Sequence, residues 1–373
     1  MKKIFFVLVC FLIFPLYANA ADVNLIAEEN FKKFDFNGVM DSVPESTRED
    51  LHEAGIDDIS FDTIKRFSIT DIIKAVAKRA TQSLSNIKSL VLNLFVIFIF
   101  HFIVASCEIK DGFTDVCKYM EMLAAICLIG GFFVSLTLSV GEIIYGSTKF
   151  MLSYVPLFSV VIASGGNPLS ANAYNFFLIS LVQFLNQFVT SFFLPFTGVF
   201  TALSLSGALS QSKSILALAG SVKKIVILLL SFSVGILTFF LTAQNVMGVS
   251  IDGASMKAAS FLTRSFVPIV GGAIKDAISS LRGCMLIIKA TVGSFGIMAG
   301  ILMFLPCILK LFIFKAVFSF SITAFGLINA TQTINVLKSF SDAVTIMLSI
   351  LLSIGFVFII STGIMISMGC GYS

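Results

Sequence analysis

The sequence predicts an all-α protein, a polytopic transmembrane helical bundle of about seven spans with a small helical extracytoplasmic segment at its N-terminus. Composition is the first indication, since 57% of the 373 residues are hydrophobic and only 12% are charged, unlike a water-soluble chain. Charge distribution is the second: the first 122 residues hold 13 of the 25 Lys and Arg and 17 of the 21 Asp and Glu. A soluble enzyme is therefore excluded. The scattered cations also make nucleic acid an unexpected partner.

Residues 1–20 have the pattern of a signal peptide. Two lysines precede the apolar run 4–14, and Ala18-Asn19-Ala20 supplies the small residues that signal peptidase requires. The alternative is a short first transmembrane helix, but about 14 apolar residues fall short of the roughly 20 that cross a bilayer. We predict cleavage after Ala20, which leaves the following segment outside the cytoplasm.

The extracytoplasmic segment is predicted to be residues 21–88, with 9 basic and 13 acidic residues. It has no cysteine, so no disulfide framework stabilises it. Apolar residues recur at three- and four-residue steps from Ile69 to Val91, which is typical of a helix that continues into the first span. Because so short a segment buries only a small core, we expect it to pack on the bundle or on a partner. Residues 89–373 form the predicted multi-pass membrane domain.

Uncharged stretches define the predicted spans, since a central charge costs about 3 kcal/mol while each Leu, Ile, Phe or Val gains only about 0.3–0.6 kcal/mol on insertion. Residues 343–368 hold 14 of these four residue types and no charge. The other clear spans are residues 89–106, 123–145, 225–247, 290–309 and 316–337.

The uncharged run 150–212 would be roughly 95 Å long as one helix, so it must turn back within the bilayer. Ser164-Gly165-Gly166-Asn167-Pro168 is the predicted turn, and the segment from Pro195 to Gly198 is a predicted kink or second break. The amphipathic stretch 107–122 is interpreted as an interfacial helix.

The basic residues do not give one consistent orientation. The cluster around Lys223, the pair Lys310 and Lys315, and the segment 252–289 would each favour the cytoplasm under the positive-inside rule. An extracytoplasmic N-terminus cannot easily satisfy all three. Some of these cations are therefore expected to face a protein interior or a membrane interface.

The spans carry no recognisable catalytic or metal-binding pattern. No histidine follows His101, which excludes a Ser/His site or a zinc-protease motif in the later spans. Cys107, Cys117 and Cys127 lack the C-x-x-C spacing that lets two thiolates share a metal. We expect no enzymatic activity, no cofactor and no metal.

Polar and small residues follow stripes along several predicted spans. The first stripe is Gln183, Gln187 and Thr190, continued by Thr197, Thr201 and Ser204; the second is Ser231, Gly235, Thr238, Thr242 and Asn245; the third is Ser319, Thr323, Gly326, Ala330 and Thr333; and Gly296 with Gly300 forms a G-x-x-x-G pair. In lipid, such residues drive helix association. The stripes are interpreted either as bundle packing or as the lining of a wet path or protomer interface, and the first stripe is the strongest candidate for the latter.

Three cations recur every seven residues: Lys275, Arg282 and Lys289. This spacing puts them on one face of a helix, about 10 Å apart along its axis. One interpretation is that they snorkel to lipid headgroups. The other is an interior basic stripe that faces anionic lipid, a carboxylate of a partner, or a conduit.

Several short motifs, in their order along the chain, resemble the stage III sporulation protein AE family. They are Ser164-Gly165-Gly166, Leu194-Pro195, Asp252-Gly253 with Phe261, Phe266-Val267-Pro268-Ile269-Val270-Gly271-Gly272 with Asp276, Lys289 with Gly293 and Gly296, and Pro306 with Lys310. Each motif is weak alone, but the ordered set is specific. The resemblance covers nearly the whole mature chain and is closest over residues 250–315.

The resemblance implies a multi-pass protein in the mother-cell membrane around the forespore of an endospore-forming bacterium. Similar proteins belong to a secretion-like complex of stage III sporulation A-operon proteins. Its other members include a secretion-type ATPase, the ring proteins AG and AH and, indirectly, stage II sporulation protein Q. We therefore expect a membrane subunit of an export or feeding channel, in contact with membrane lipid. The alternative is a free-standing secondary transporter for a small solute, and an intramembrane protease is a more distant one.

Overall fold

The computed structural model describes residues 36–56, 58–60, 63, 69–82, 84–106, 111–266 and 271–368. Within these ranges the chain is helical and contains no strand, so the predicted all-α class is confirmed. In chain order the helices are α1 (Asn37–Ser42), α2 (Glu45–Glu53), α3 (Ile69–Gln82), α4 (Leu84–Ser106), α5 (Asp111–Ser164), α6 (Pro168–Phe188), a π-helical segment (Val189–Phe193), α7 (Leu194–Leu209), α8 (Lys213–Phe266), α9 (Gly271–Leu327) and α10 (Thr331–Ser367). The predicted signal peptide, residues 1–20, lies outside the described residues.

Helices α1 to α3 pack on the bundle, as expected for a segment too short to fold around its own core. Helix α1 contacts α5, and both α2 and α3 contact α9. Pro44 packs so closely on Gly146 that a Cβ atom there would meet the Pro44 Cγ at 2.6 Å. Within the segment, Arg79 of α3 forms an ion pair with Asp50 of α2. Burial raises the pKa of the Asp50 carboxyl, and the Arg79 guanidinium opposes that increase.

Six described helical runs are long and apolar enough to cross a membrane, one fewer than the predicted seven. They are Ile87–Val104, Val116–Ser164, Pro168–Leu209, Lys213–Gln244, Gly283–Leu327 and Thr331–Ser367. Several are longer than the roughly 20 residues that a bilayer requires. The described part of the predicted interfacial stretch is continuous with α5, beginning at Asp111.

The predicted spans 290–309 and 316–337 are wrong as separate helices. Helix α9 runs without interruption through Pro306 and Lys310 to Leu327. The chain reverses at residues 328–330, where Asn329 adopts a left-handed φ of 57° that asparagine tolerates better than most residues. The prediction placed the break at the charges of Lys310 and Lys315. Lys310 instead donates a hydrogen bond to Ser139 Oγ of α5 at 3.3 Å. This polar contact within the bundle lets the helix continue through the lysine.

The run 150–212 turns back at the predicted position, because α5 ends at Ser164 and Gly166 has a φ of 94°. The alternative of a second break between Pro195 and Gly198 is wrong, because the helix continues there, and the alternative of a kink stays a prediction. The helix passes through a π-helical segment immediately before α7, and Pro195 is the second residue of α7. Proline lacks the N–H that a regular α-helix would bond to the preceding turn, and here that turn is π-helical. The second reversal comes at residues 210–212, where Gln211 has a φ of 53°.

Helix α10 is the centre of the bundle and contacts α5, α7, α8 and α9. Beside it, the Phe150 ring lies 5.2 Å from Tyr154 and 5.9 Å from Phe358 between ring centroids. The G-x-x-x-G pair allows this approach, since a Cβ at Gly296 would overlap Tyr154 and a Cβ at Gly300 would overlap Phe358. The interpretation of this pair as a helix-packing motif is confirmed.

Candidate functional site

The first predicted polar stripe begins on the outer surface of the bundle. Gln183 and Gln187 of α6 are exposed, and Thr190 is half-buried. The Gln187 side-chain amide donates to Ser191 Oγ at 2.8 Å, and the Thr190 hydroxyl donates to the Asn186 carbonyl at 2.7 Å. These outward amides occupy a helical run that is otherwise apolar enough to span a membrane.

The continuation of that stripe points inward. Thr197, Thr201 and Ser204 of α7 are buried, and Ser204 Oγ donates to Ser339 Oγ of α10 at 2.6 Å. The π-helical segment between the two halves explains the change of face. An i→i+5 turn contains one more residue than an α-turn, and one residue corresponds to a rotation of about 100°. The two halves therefore lie on different faces, and only the first is available at the surface.

The second predicted stripe lies on α8, which packs beside α6. The reversal at Gln211 makes α7 and α8 antiparallel. Thr238 follows Gln211 by about 27 residues and Gln183 precedes it by about 28, so the two lie at a similar position along the bundle axis. Thr242 is exposed and donates to the Thr238 carbonyl at 2.9 Å, while Thr238 Oγ1 is buried. The side chain of Asn245 lies outside the described residues.

We define the outer polar band as the exposed side chains Gln183, Gln187, Ser191 and Thr242. A glutamine amide is both a donor and an acceptor, and hydrocarbon tails satisfy neither group. Side chains of this kind in membrane helices hydrogen-bond across helices to a neighbour. The geometry therefore suits contact with another protein or with water rather than with lipid tails.

A buried polar cluster joins four parts of the bundle at one end. Glu121 of α5 is 2% exposed. Its Oε2 lies 2.7 Å from Nδ1 of His101 in α4, and its Oε1 accepts a 2.5 Å hydrogen bond from the Thr333 hydroxyl of α10. The other ring nitrogen of His101 lies 3.3 Å from the Ile328 carbonyl, in the turn between α9 and α10. The sequence does not predict this cluster, because nothing in the spacing of its members relates them.

The His101 ring contacts an oxygen atom on each side: Nδ1 faces Glu121, and Nε2 faces the Ile328 carbonyl. A neutral imidazole has only one N–H donor. Two arrangements satisfy both contacts: an imidazolium beside a carboxylate, or a neutral imidazole beside a protonated carboxyl.

The structure places the three cations of the predicted basic stripe on α9. Lys289 is buried, with 4% of its surface exposed, and its ammonium donates to the Met368 carbonyl, immediately after α10. A cation at a helix C-terminus complements the helix dipole. Lys289 therefore does not snorkel to headgroups. The side chains of Lys275 and Arg282 lie outside the described residues.

Other cations in the apolar region also face protein groups. Lys223 of α8 forms an ion pair with Asp342 of α10, and Lys310 reaches Ser139. The expectation that some of these charges face the interior is confirmed. In the part of the chain that the structure describes, no group of three or more His, Cys, Asp or Glu side chains could hold a metal ion.

One family model extends over most of the chain. The model described as Stage III sporulation protein AE matches residues 55–369, which are 315 of the 373 residues. The chain belongs to the stage III sporulation protein AE family. The outer polar band, the Glu121 cluster and Lys289 all lie within the matched range. Family membership and the six long apolar helices together identify a sporulation-related, multi-pass membrane protein.

A curated member of the stage III sporulation protein AE family supports the assignment. Stage III sporulation protein AE of Bacillus subtilis (strain 168) is 27% identical over 179 residues. The alignment covers 47% of this chain and 44% of that protein, so the chain matches less than half of the relative's length. No solved structure matches this chain.

Proposed function

We propose that this chain is an integral membrane subunit of a sporulation-specific, secretion-like channel complex that links mother cell and forespore. The subunit has no catalytic activity of its own and lies in the mother-cell membrane around the forespore. Its partners are other stage III sporulation A-operon proteins, including a secretion-type ATPase and the ring proteins AG and AH, with stage II sporulation protein Q as an indirect partner. Membership of the stage III sporulation protein AE family is the observation that carries the proposal.

The outer polar band supports a role as a subunit rather than as an isolated protein. Gln183 and Gln187 are exposed on a helical run that is long and apolar enough to cross a membrane. Moving an amide from water into hydrocarbon without a hydrogen-bond partner costs about 4–8 kcal/mol. A neighbouring subunit with polar side chains at the same height removes that cost. The band is therefore the surface through which the proposed complex would contact this chain.

The packing at the centre of the bundle supports a path between subunits. Phe150, Tyr154, Phe295 and Phe358 are buried and in ring contact beside α10. The cavity that Phe358 helps to line has a volume of about 30 Å³, which is room for one or two water molecules. We propose that a cargo larger than water passes beside this subunit, along a surface such as the outer polar band.

Gentle purification from sporulating cells tests the proposal. The tagged full-length chain is solubilised in a mild detergent, separated on a native gel and identified with its companions by mass spectrometry. We expect it in a large assembly with the A-operon ATPase and the AG and AH proteins. A chain that runs alone in membranes from every stage of sporulation would contradict the proposal.

A free-standing secondary transporter is the second candidate, and the Glu121 cluster favours it. A carboxylate buried in a membrane bundle and paired with a histidine is the kind of group that proton-coupled transporters use. The test is uptake of candidate solutes by liposomes that contain only this protein and carry a proton gradient. The channel-subunit proposal predicts no uptake. Uptake that Glu121→Gln abolishes would support the transporter instead.

A further inference from the structure

A small polar cavity lies between α5, α6 and α10. Its volume is about 30 Å³. Four polar side chains line it, and the other lining residues are apolar. The polar ones are Ser147 and Thr148 of α5, Asn186 of α6 and Ser361 of α10. Three of them are buried, with exposures of 3% for Ser147, 9% for Thr148 and 0% for Ser361.

The polar lining offers mainly acceptors. The hydroxyls of Ser147, Thr148 and Ser361 each donate to a carbonyl three or four residues earlier in their own helix, at 2.8–2.9 Å. A hydroxyl has one hydrogen, so only its oxygen lone pairs remain for a ligand. The Oδ1 of Asn186 is buried and has no hydrogen-bond partner in the part of the chain that the structure describes.

A cavity with a buried carbonyl oxygen that lacks a donor favours a ligand that donates hydrogen bonds. A buried carbonyl oxygen without a donor is costly, and ordered water commonly supplies the missing bond. One water needs about 10–15 Å³ of such volume and two to four polar partners. The cavity meets both requirements. We propose that it is a hydration site inside the bundle, where ordered water donates to Asn186 Oδ1 and to the hydroxyl oxygens.

The site is on the same helix as the outer polar band. Asn186 lies between Gln183 and Gln187 in α6, but it lines the cavity and its Oδ1 is buried, while the two glutamines are exposed. Helix α6 therefore has polar groups on both its inner and its outer face. This inference does not depend on the proposed channel function, since it rests on the cavity alone.

Water-edited solid-state NMR of the native, full-length protein in lipid tests the proposal without a mutation. Magnetisation transferred from water should reach the Ser361 side chain rapidly. The matched control is Ser339 of α10, which is equally buried but has its hydroxyl in contact with Ser204. Transfer to Ser361 that is as slow as transfer to Ser339 would overturn the hydration site.

Substitution of the amide gives a second, independent readout. In a dry cavity, Asn186→Leu removes a buried oxygen without a donor, and the melting temperature should rise. In a hydrated cavity it removes the main partner of the water, and the melting temperature should fall, which is our expectation. Asn175→Leu is the control, because Asn175 Oδ1 is also buried without a partner but does not line this cavity. We expect no fall for it.

The same melting experiment separates water from a cation. A small monovalent cation would also fit oxygen acceptors, and its binding would stabilise the protein more at higher cation concentration. We expect equal melting temperatures in sodium chloride and in choline chloride at equal ionic strength. A higher melting temperature in sodium alone would assign the cavity to a cation and overturn the hydration site.

Discussion

The Nδ1 of His101 lies 2.7 Å from the Oε2 of Glu121 and so connects α4 to α5 inside the bundle. The second Glu121 oxygen accepts the Thr333 hydroxyl, and the second His101 nitrogen contacts the Ile328 carbonyl. Through His101, Glu121 is thereby linked to the turn between α9 and α10. Glu121 itself contacts side chains of two other helices, so its substitution should have a large effect on the cluster.

Glu121→Leu is predicted to destabilise the protein by about 1–3 kcal/mol, because it leaves a buried ring nitrogen of His101 and the buried hydroxyl of Thr333 without their hydrogen-bond partner. Thermal unfolding of the full-length protein in detergent measures this. The control is Glu142→Leu on the same helix, where the side chain is exposed and the expected change is within about 0.5 kcal/mol. Equal effects of the two substitutions would show that the cluster contributes nothing.

Gly296→Ala is predicted to destabilise the packing of α9 on α5 by about 1–3 kcal/mol, since the added methyl group would overlap the Tyr154 ring. Gly198→Ala is the matched control, because nothing lies within 4 Å of a Cβ at that helical position. There, alanine should be neutral or stabilise by up to about 1 kcal/mol through its higher helix propensity. A neutral Gly296→Ala variant would contradict the close approach.

Lys223 and Asp342 are predicted to be coupled across the α8–α10 contact. Their side chains are 24% and 43% exposed, so the pair should contribute about 0.2–1 kcal/mol, the range of accessible ion pairs. A double-mutant cycle with Lys223→Met and Asp342→Asn, followed by thermal unfolding, measures the coupling. Effects of the two single substitutions that simply add in the double variant would show that the pair does not interact.

The position of the last reversal is predicted to be Asn329 and not Lys310. In a background without the seven native cysteines, Asn329→Cys should react readily with a membrane-impermeant maleimide when its side of the membrane is exposed to the reagent. Lys310→Cys should react slowly, because Lys310 is within α9 and half-buried. Rapid labelling at position 310 together with protection at 329 would restore the separate spans 290–309 and 316–337.

Hydrophobic runs and turn residues predicted most of the fold. The Gly166 reversal and the G-x-x-x-G contact of Gly296 followed from local chemistry, and the structure confirms both. The wrong predictions concern residues whose environment depends on contacts with distant parts of the chain. Lys310 looked like a helix boundary because no sequence pattern shows that Ser139, 171 residues earlier, accepts its hydrogen bond. The π-helical segment was equally hidden, since its sequence is an ordinary apolar one with Thr190 and Ser191.

The candidate sites were predicted less completely than the fold. The outward part of the first stripe, Gln183 and Gln187, was identified by its polarity within an apolar helix. The Glu121 cluster and the Asn186 cavity were not identified, because each brings together side chains from three or more segments. Their polar atoms are distinguished from others only by being buried, which the sequence does not show. Such clusters depend on the register between helices, which the sequence pattern of one helix does not specify.

Site-specific photocrosslinking in sporulating cells tests the central claim, that this membrane protein acts through contacts with other subunits. A photoreactive amino acid is placed at Gln187 in the outer polar band, and at Val199 of α7 as a control exposed on an apolar face. We expect covalent adducts to another protein from position 187, and none or far fewer from position 199. A stable, membrane-inserted chain that yields no protein adduct from position 187 would contradict it.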